Sequence, residues 1–257
     1  LNENTEGNLN RHLALRSGNP ALNKNTFAQL AQASESTMTI GGTVNKTFLS
    51  LLLLLATAIY TWNLPVGDPK VSGFMLMGFI GGFIVALITV FKKHLAPYTV
   101  PGYALLEGLA LGGLSKFFES SYPGIVQQAV FLTFGTLGAL LLAYRSGLIK
   151  ATENFKLGVV AATGGIAFIY LISFVLGFFG INMSVIHGNS IFSIGFSLVV
   201  VVIAALNLVM DFDFIEEGAE QGAPKYMEWY GAFGLMVTLI WLYLELLRLL
   251  AKLQSRR

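Results

Sequence analysis

Seven nearly uncharged stretches of about 20 residues recur along this chain, and few architectures can absorb them. They run over 46–62, 72–91, 101–118, 125–144, 157–179, 190–210 and 229–250. Each is long enough, or nearly so, to cross a hydrocarbon core of ~30 Å as a helix. In lipid the backbone must satisfy its own hydrogen bonds. The third stretch is the weakest, being short and carrying Glu107. Between the stretches stand helix breakers: Pro65, Pro69, Pro97, Pro101, Pro123, Gly180 and Pro224. The expected fold is all-α, a polytopic membrane protein with seven transmembrane helices.

Composition agrees. Only 12% of the 257 residues are charged, whereas a soluble domain carries about a quarter. The 28 glycines suit helices that approach closely in lipid. The pairs Gly81-Gly82, Gly112-Gly113 and Gly164-Gly165, with Gly73 and Gly78, are expected at such contacts. No cysteine is present, which excludes disulfides, thiolate metal sites and Cys nucleophiles. A net charge of +2 gives no footprint for nucleic acid. The first forty-odd residues are polar, with no apolar core of a signal peptide among them. The expected organisation is a polar cytoplasmic tail over 1–45, a membrane domain over 46–250 and a basic tail over 251–257.

Lysine and arginine set the orientation. With the N-terminus inside, the inner side holds Arg11, Arg16, Lys24, Lys46, Lys92, Lys93, Arg145, Lys150, Lys156 and Lys225, against Lys70 and Lys116 in outer loops. The basic C-terminal residues Arg248, Lys252, Arg256 and Arg257 run against this rule, because seven crossings place them outside.

Ionisable side chains at membrane depth are costly and mark function. Asp211 directly follows the apolar run that ends at Met210, and Glu107 is embedded among Leu105, Leu106, Leu109 and Leu111. In this topology both lie in the inner half of the bilayer, where they can share a proton or a cation. Oxygen ligands without sulfur suit a hard ion such as calcium, with Asp211 and Glu107 as its ligands. Asp213, Glu216 and Glu217 read equally well as a solvated acidic cap past the helix end. Glu245 and Arg248, three residues apart, are expected to pair on one helix face. Lys92 and Lys93 are positive-inside anchors that could also serve as gate cations beside Asp211. His12, His94 and His187 form no metal cluster in sequence. No phosphate loop, zinc-protease motif or nucleophile–base constellation is present, and no cofactor or enzyme activity is expected.

Three strings carry a family resemblance. RSGNPALNKNTF (16–27), YALLEGLALGGLSKFFESSYPGIVQQAVFLT (103–133) and MDFDFIEEGAEQGAPKYMEWYGAFGLMVTLIWLYLELLRLL (210–250) together resemble the Bax inhibitor, or TMBIM, family, and in particular its bacterial branch. The resemblance implies seven helices with the last in the centre, residence in a bacterial inner membrane and a pH-sensitive calcium leak. It also implies an acidic pair, one Asp on each of the sixth and seventh helices, that senses protons and binds the cation. The first member matches Asp211. Matching LYLE puts the second at Glu245, whereas matching the later LLR string puts it at Thr238. Depth favours Thr238, which leaves Glu107 as the substitute partner. The leading expectation is therefore a proton-gated cation leak whose partners are lipid, protons and calcium. The alternative is a non-transporting regulator that binds another membrane protein, such as a quality-control protease, through the N-terminal tail and glycine faces.

Overall fold

The computed structural model describes residues 37–65, 67–181, 183, 186 and 188–256. The string at 16–27 and the tail residues Arg11, His12, Arg16 and Lys24, like His187, lie outside them. Seven long helices follow in order: α1 Ile40–Trp62, α2 Pro69–Phe91, α3 Ala96–Ser121, α4 Ile125–Arg145, α5 Glu153–Phe178, α6 Ile191–Glu220 and α7 Met227–Gln254. Six of them are long and apolar enough to cross a membrane, and α3 is the one that is not.

Local chemistry sets most of the starts. The side chains of Thr39, Asp68, Thr152 and Ser190 each accept a backbone N–H in the first turn of α1, α2, α5 and α6. Glu119, near the end of α3, reaches forward to accept from the Gly124 and Val126 amides, and so caps α4 from outside. Gly124 has φ 84°, a backbone conformation that only glycine adopts cheaply.

Several ends differ from the expected ones. Pro101 does not break the third helix, which begins at Ala96 with Pro97 in its first turn and Pro101 inside it. At Pro97 the missing N–H is one the helix start leaves unbonded anyway, and the single ladder bond lost at Pro101 is of a kind that membrane helices tolerate. The sixth helix does not stop at Met210 but runs on to Glu220. Hydropathy marks where lipid contact ends, not where the hydrogen-bond ladder ends. Lys252, expected in the tail, lies within α7.

The last helix is the most enclosed. Within the bundle 56% of its apolar window is buried, against 17–28% for the other five candidate spans. It packs on α1, α3, α4 and α6. One core cluster joins α4, α6 and α7 around Leu208, Leu242 and Leu247, and a second joins α1, α3 and α7 around Leu54, Val100 and Met236.

Glycine governs how α1, α2 and α3 meet. A Cβ on Gly108 would stand 2.0 Å from Thr57 Oγ1 and 2.2 Å from the Leu54 carbonyl, and one on Gly112 would stand 2.2 Å from the Ala58 carbonyl. On the opposite side of α3, a Cβ on Gly78 of α2 would stand 2.5 Å from the Leu106 carbonyl and 2.7 Å from the Ala110 Cβ. The expectation fails for Gly73, Gly164 and Gly165, which have nothing within 4 Å of an added Cβ. Gly108→Ala is therefore expected to push α1 off α3 and cost about 1–3 kcal/mol. Gly164→Ala should stay within about 0.5 kcal/mol. Thermal unfolding of the two variants in detergent measures both.

Candidate functional site

Asp211 points from α6 toward α7. Its Oδ1 lies 3.5 Å from where a Cβ on Gly234 would stand, and Thr238, one turn further along α7, is its polar neighbour. Oδ2 is buried and has no hydrogen-bond partner among the described residues. The only other such side-chain atom among them is Ser50 Oγ on α1.

These groups belong to one seam. Thr43 of α1 and Ile215 of α6 both close on Gly231 of α7, at 3.2 and 3.1 Å from an added Cβ. Thr47 and Ser50 lie four and seven residues beyond Thr43, hence on the same face of α1. Asp211 lies one turn before Ile215, and Thr238 two turns after Gly231. The register thus stacks Thr43, Thr47, Ser50, Thr238 and Asp211 along the α1–α6–α7 junction. Thr43, Thr47 and Ser50 are all buried. The hydroxyls of Thr43 and Thr47 donate to the carbonyls one turn back, both at 3.0 Å. From the ends of their helices, Ser50, Asp211 and Thr238 each sit about 14–17 Å deep.

A strap closes one end of the seam. Met38, 2% exposed, donates its N–H to the Ala223 carbonyl at 2.7 Å and packs on Ile215, Ala223 and Met227. Thr37 forms an isolated bridge with Pro224. Behind the strap the carboxylate of Glu228, fully buried, accepts from the Thr39 N–H and hydroxyl (both 2.9 Å) and pairs with Lys225 at 2.7 Å and with Lys46. Gly42 leaves room for this carboxylate, since a Cβ would stand 2.1 Å from Glu228 Oε1 and displace it. Sequence reading missed this cluster. Its signal was Glu228 within a helix start and Lys46 at the head of the first apolar run.

The other expected site residues are placed elsewhere. Glu107 and Asp211 lie at similar depth but are not brought together. Glu107 turns to α2, with Oε1 2.8 Å from a Cβ on Gly82 and Tyr103 as its polar neighbour. Asp213 pairs with Lys156 of α5 at 2.6 Å, and Glu216 accepts from Tyr144 of α4. These acids sit on α6 itself, not past its end. Lys92 and Lys93 are exposed, and Lys93 Nζ stands 5.1 Å above the Tyr230 ring, so neither forms a latch on Asp211.

Glu245 is 2% exposed and far along α7 from Asp211. It accepts from Arg248 at 2.8 and 3.1 Å and from the Tyr170 hydroxyl at 3.0 Å, and Arg248 also donates to that hydroxyl. Beyond them Lys252, 5% exposed, donates to Ser193 Oγ and Ser197 Oγ, both at 2.8 Å. No group of three or more His, Asp or Glu side chains converges to hold a metal among the described residues.

The family model described as Bax inhibitor 1 like matches residues 19–255, and the chain belongs to that family. No curated protein and no solved structure matches the chain.

The Glu228 cluster yields a stability prediction. Glu228→Ala leaves Lys46 unpaired and frees the strap, at an expected cost of about 3 kcal/mol. Hydrogen exchange at the Met38 and Thr39 amides should quicken in the same variant, which an unfolding curve alone would not reveal.

Proposed function

We propose that this Bax inhibitor 1 like protein is a proton-linked cation leak, with calcium as the ion its oxygen ligands suit and Asp211 as the sensing group. In this reading all seven helices cross the membrane. The N-terminus, the strap and Glu228 face the cytoplasm, in keeping with the excess of Lys and Arg at that end. The membrane is the bacterial inner membrane that the family resemblance implies.

One observation carries the reading: a buried carboxylate oxygen, well inside the α1–α6–α7 junction, that no group among the described residues satisfies. An ionised carboxylate in low dielectric needs a counter-charge or water, whereas a protonated one needs neither. A cation at Oδ2 therefore competes with the proton. Occupancy is favoured when Asp211 is ionised and lost as pH falls through its midpoint. The hydroxyls of Ser50, Thr47 and Thr238 supply neutral oxygens along the seam. A single carboxylate holds a divalent ion weakly, which suits passage better than storage.

The sensing role falls to Asp211 with Thr238, not to two carboxylates. The LLR register had singled out Thr238, and the depth of the seam supports it. Glu245 is taken up by Arg248 and Tyr170. The strap at Met38 covers the cytoplasmic mouth, so opening would involve the α6–α7 end.

Calcium flux into dye-loaded proteoliposomes tests this reading. Asp211→Asn should remove the pH dependence across about two units on either side of the midpoint. Thr238→Asp should lower the calcium concentration for half-saturation by about tenfold, because a second carboxylate then faces the ion. Wild-type protein that passes no calcium at any pH would sink the proposal, and would favour the regulator that binds a membrane partner.

A further inference from the structure

An apolar groove opens on the lipid-facing side of the bundle, between α1 and α4, with α3 and α7 as its floor. It encloses about 180 Å³ and is walled by Leu51, Leu55, Ile59, Val130 and Phe134, among others. Interiors close-pack, and a cleft of this size in a span is not left empty when hydrocarbon lies against its mouth. Its polar atoms are already spent. Ser115 Oγ and Tyr243 OH, at the floor, bond each other at 2.6 Å.

The groove has a direction. From Leu51 to Trp62 on α1 it spans about 16 Å, roughly half of a ~30 Å hydrocarbon core. That is the depth of one leaflet. Its outer end coincides with the end of α1, where Trp62 lines it as an interfacial aromatic.

A cation stands at that same end. Lys116, next to Ser115 in α3, donates to the Trp62 carbonyl at 2.9 Å and to the Leu64 carbonyl. Its ammonium has three donors, and no carboxylate lies within ion-pair range of it among the described residues. Glu119, one turn on, is occupied by the amides of Gly124 at 2.6 Å and Val126 at 3.0 Å. That end of the groove therefore carries a positive charge held against carbonyls at the end of α1, with no carboxylate paired to it among the described residues.

We propose that the α1–α4 groove binds one acyl chain of an anionic phospholipid, with the chain along Leu51–Trp62 and the phosphate at Lys116. The walls give the chain a fixed lane through one leaflet. Lys116 selects the headgroup by charge, and the spent hydroxyl pair rejects a polar occupant.

Quenching of Trp62 fluorescence by lipids brominated on the acyl chain tests the proposal. Measurements use the full chain in detergent micelles, with a Trp62→Phe variant subtracted to remove Trp229 and Trp241. Brominated phosphatidylglycerol should quench saturably, and brominated phosphatidylcholine should need about fivefold more lipid for the same quench. Val130→Phe fills the groove from α4, and Ile59→Phe fills it from α1. Both residues already face lipid, so the fold should tolerate the change, and either variant should lose the saturable component. Lys116→Gln should keep saturation while making the two lipids equivalent. Two results would overturn the site: quenching that persists unchanged in both filled variants, or wild-type protein that does not distinguish the two headgroups.

Discussion

Hydrocarbon offers no water, so every polar group on the enclosed helix α7 has to be met from inside the bundle. That requirement explains much of the arrangement around it. Glu228 is met by Lys46 of α1 and the strap at Thr39. Tyr243 is met by Ser115 of α3, and Glu245 with Arg248 by Tyr170 of α5. Lys252 is met by Ser193 and Ser197 of α6. These polar residues of α7 thus tie it to α1, α3, α5 and α6, and the apolar clusters fill the space between. Asp211 departs from this pattern. Its Oδ1 faces the same helix while Oδ2 is left without a partner among the described residues, and that departure is why the functional reading rests there.

The apolar runs made the number of helices and their order legible, because lipid imposes a minimum length on each. Helix ends were less legible. The charged residues Asp213, Glu216 and Glu217 read as a stop, yet the helix runs through them, with Lys156 opposite Asp213 and Tyr144 opposite Glu216. Pro101 misled in the same way, since a membrane helix continues through a proline at the cost of one ladder bond.

Asp211 could be identified from its place in a greasy run, and Thr238 only through the family resemblance of the LLR string. Their relation to Glu107 could not, because depth is a one-dimensional quantity. Glu107 and Asp211 share a level, but rotation about the helix axes turns one toward α2 and the other toward α7. Likewise Gly78 and Gly108 are contact glycines while Gly164 and Gly165 are not, although the letters alone look alike.

The tight seating of α3 against α1 and α2 bears on how the chain enters the membrane. α3 lacks the apolar content of an independent span, and it carries Glu107 and Lys116. Alone in lipid it would be a poor candidate for insertion. Seated on α1 through Gly108 and Gly112, and on α2 through Gly78, it hides its backbone, and the side chain of Glu107 meets Gly82. The first three helices thus pack as one unit. α1 and α2 supply the surface that the sequence of α3 does not provide for itself.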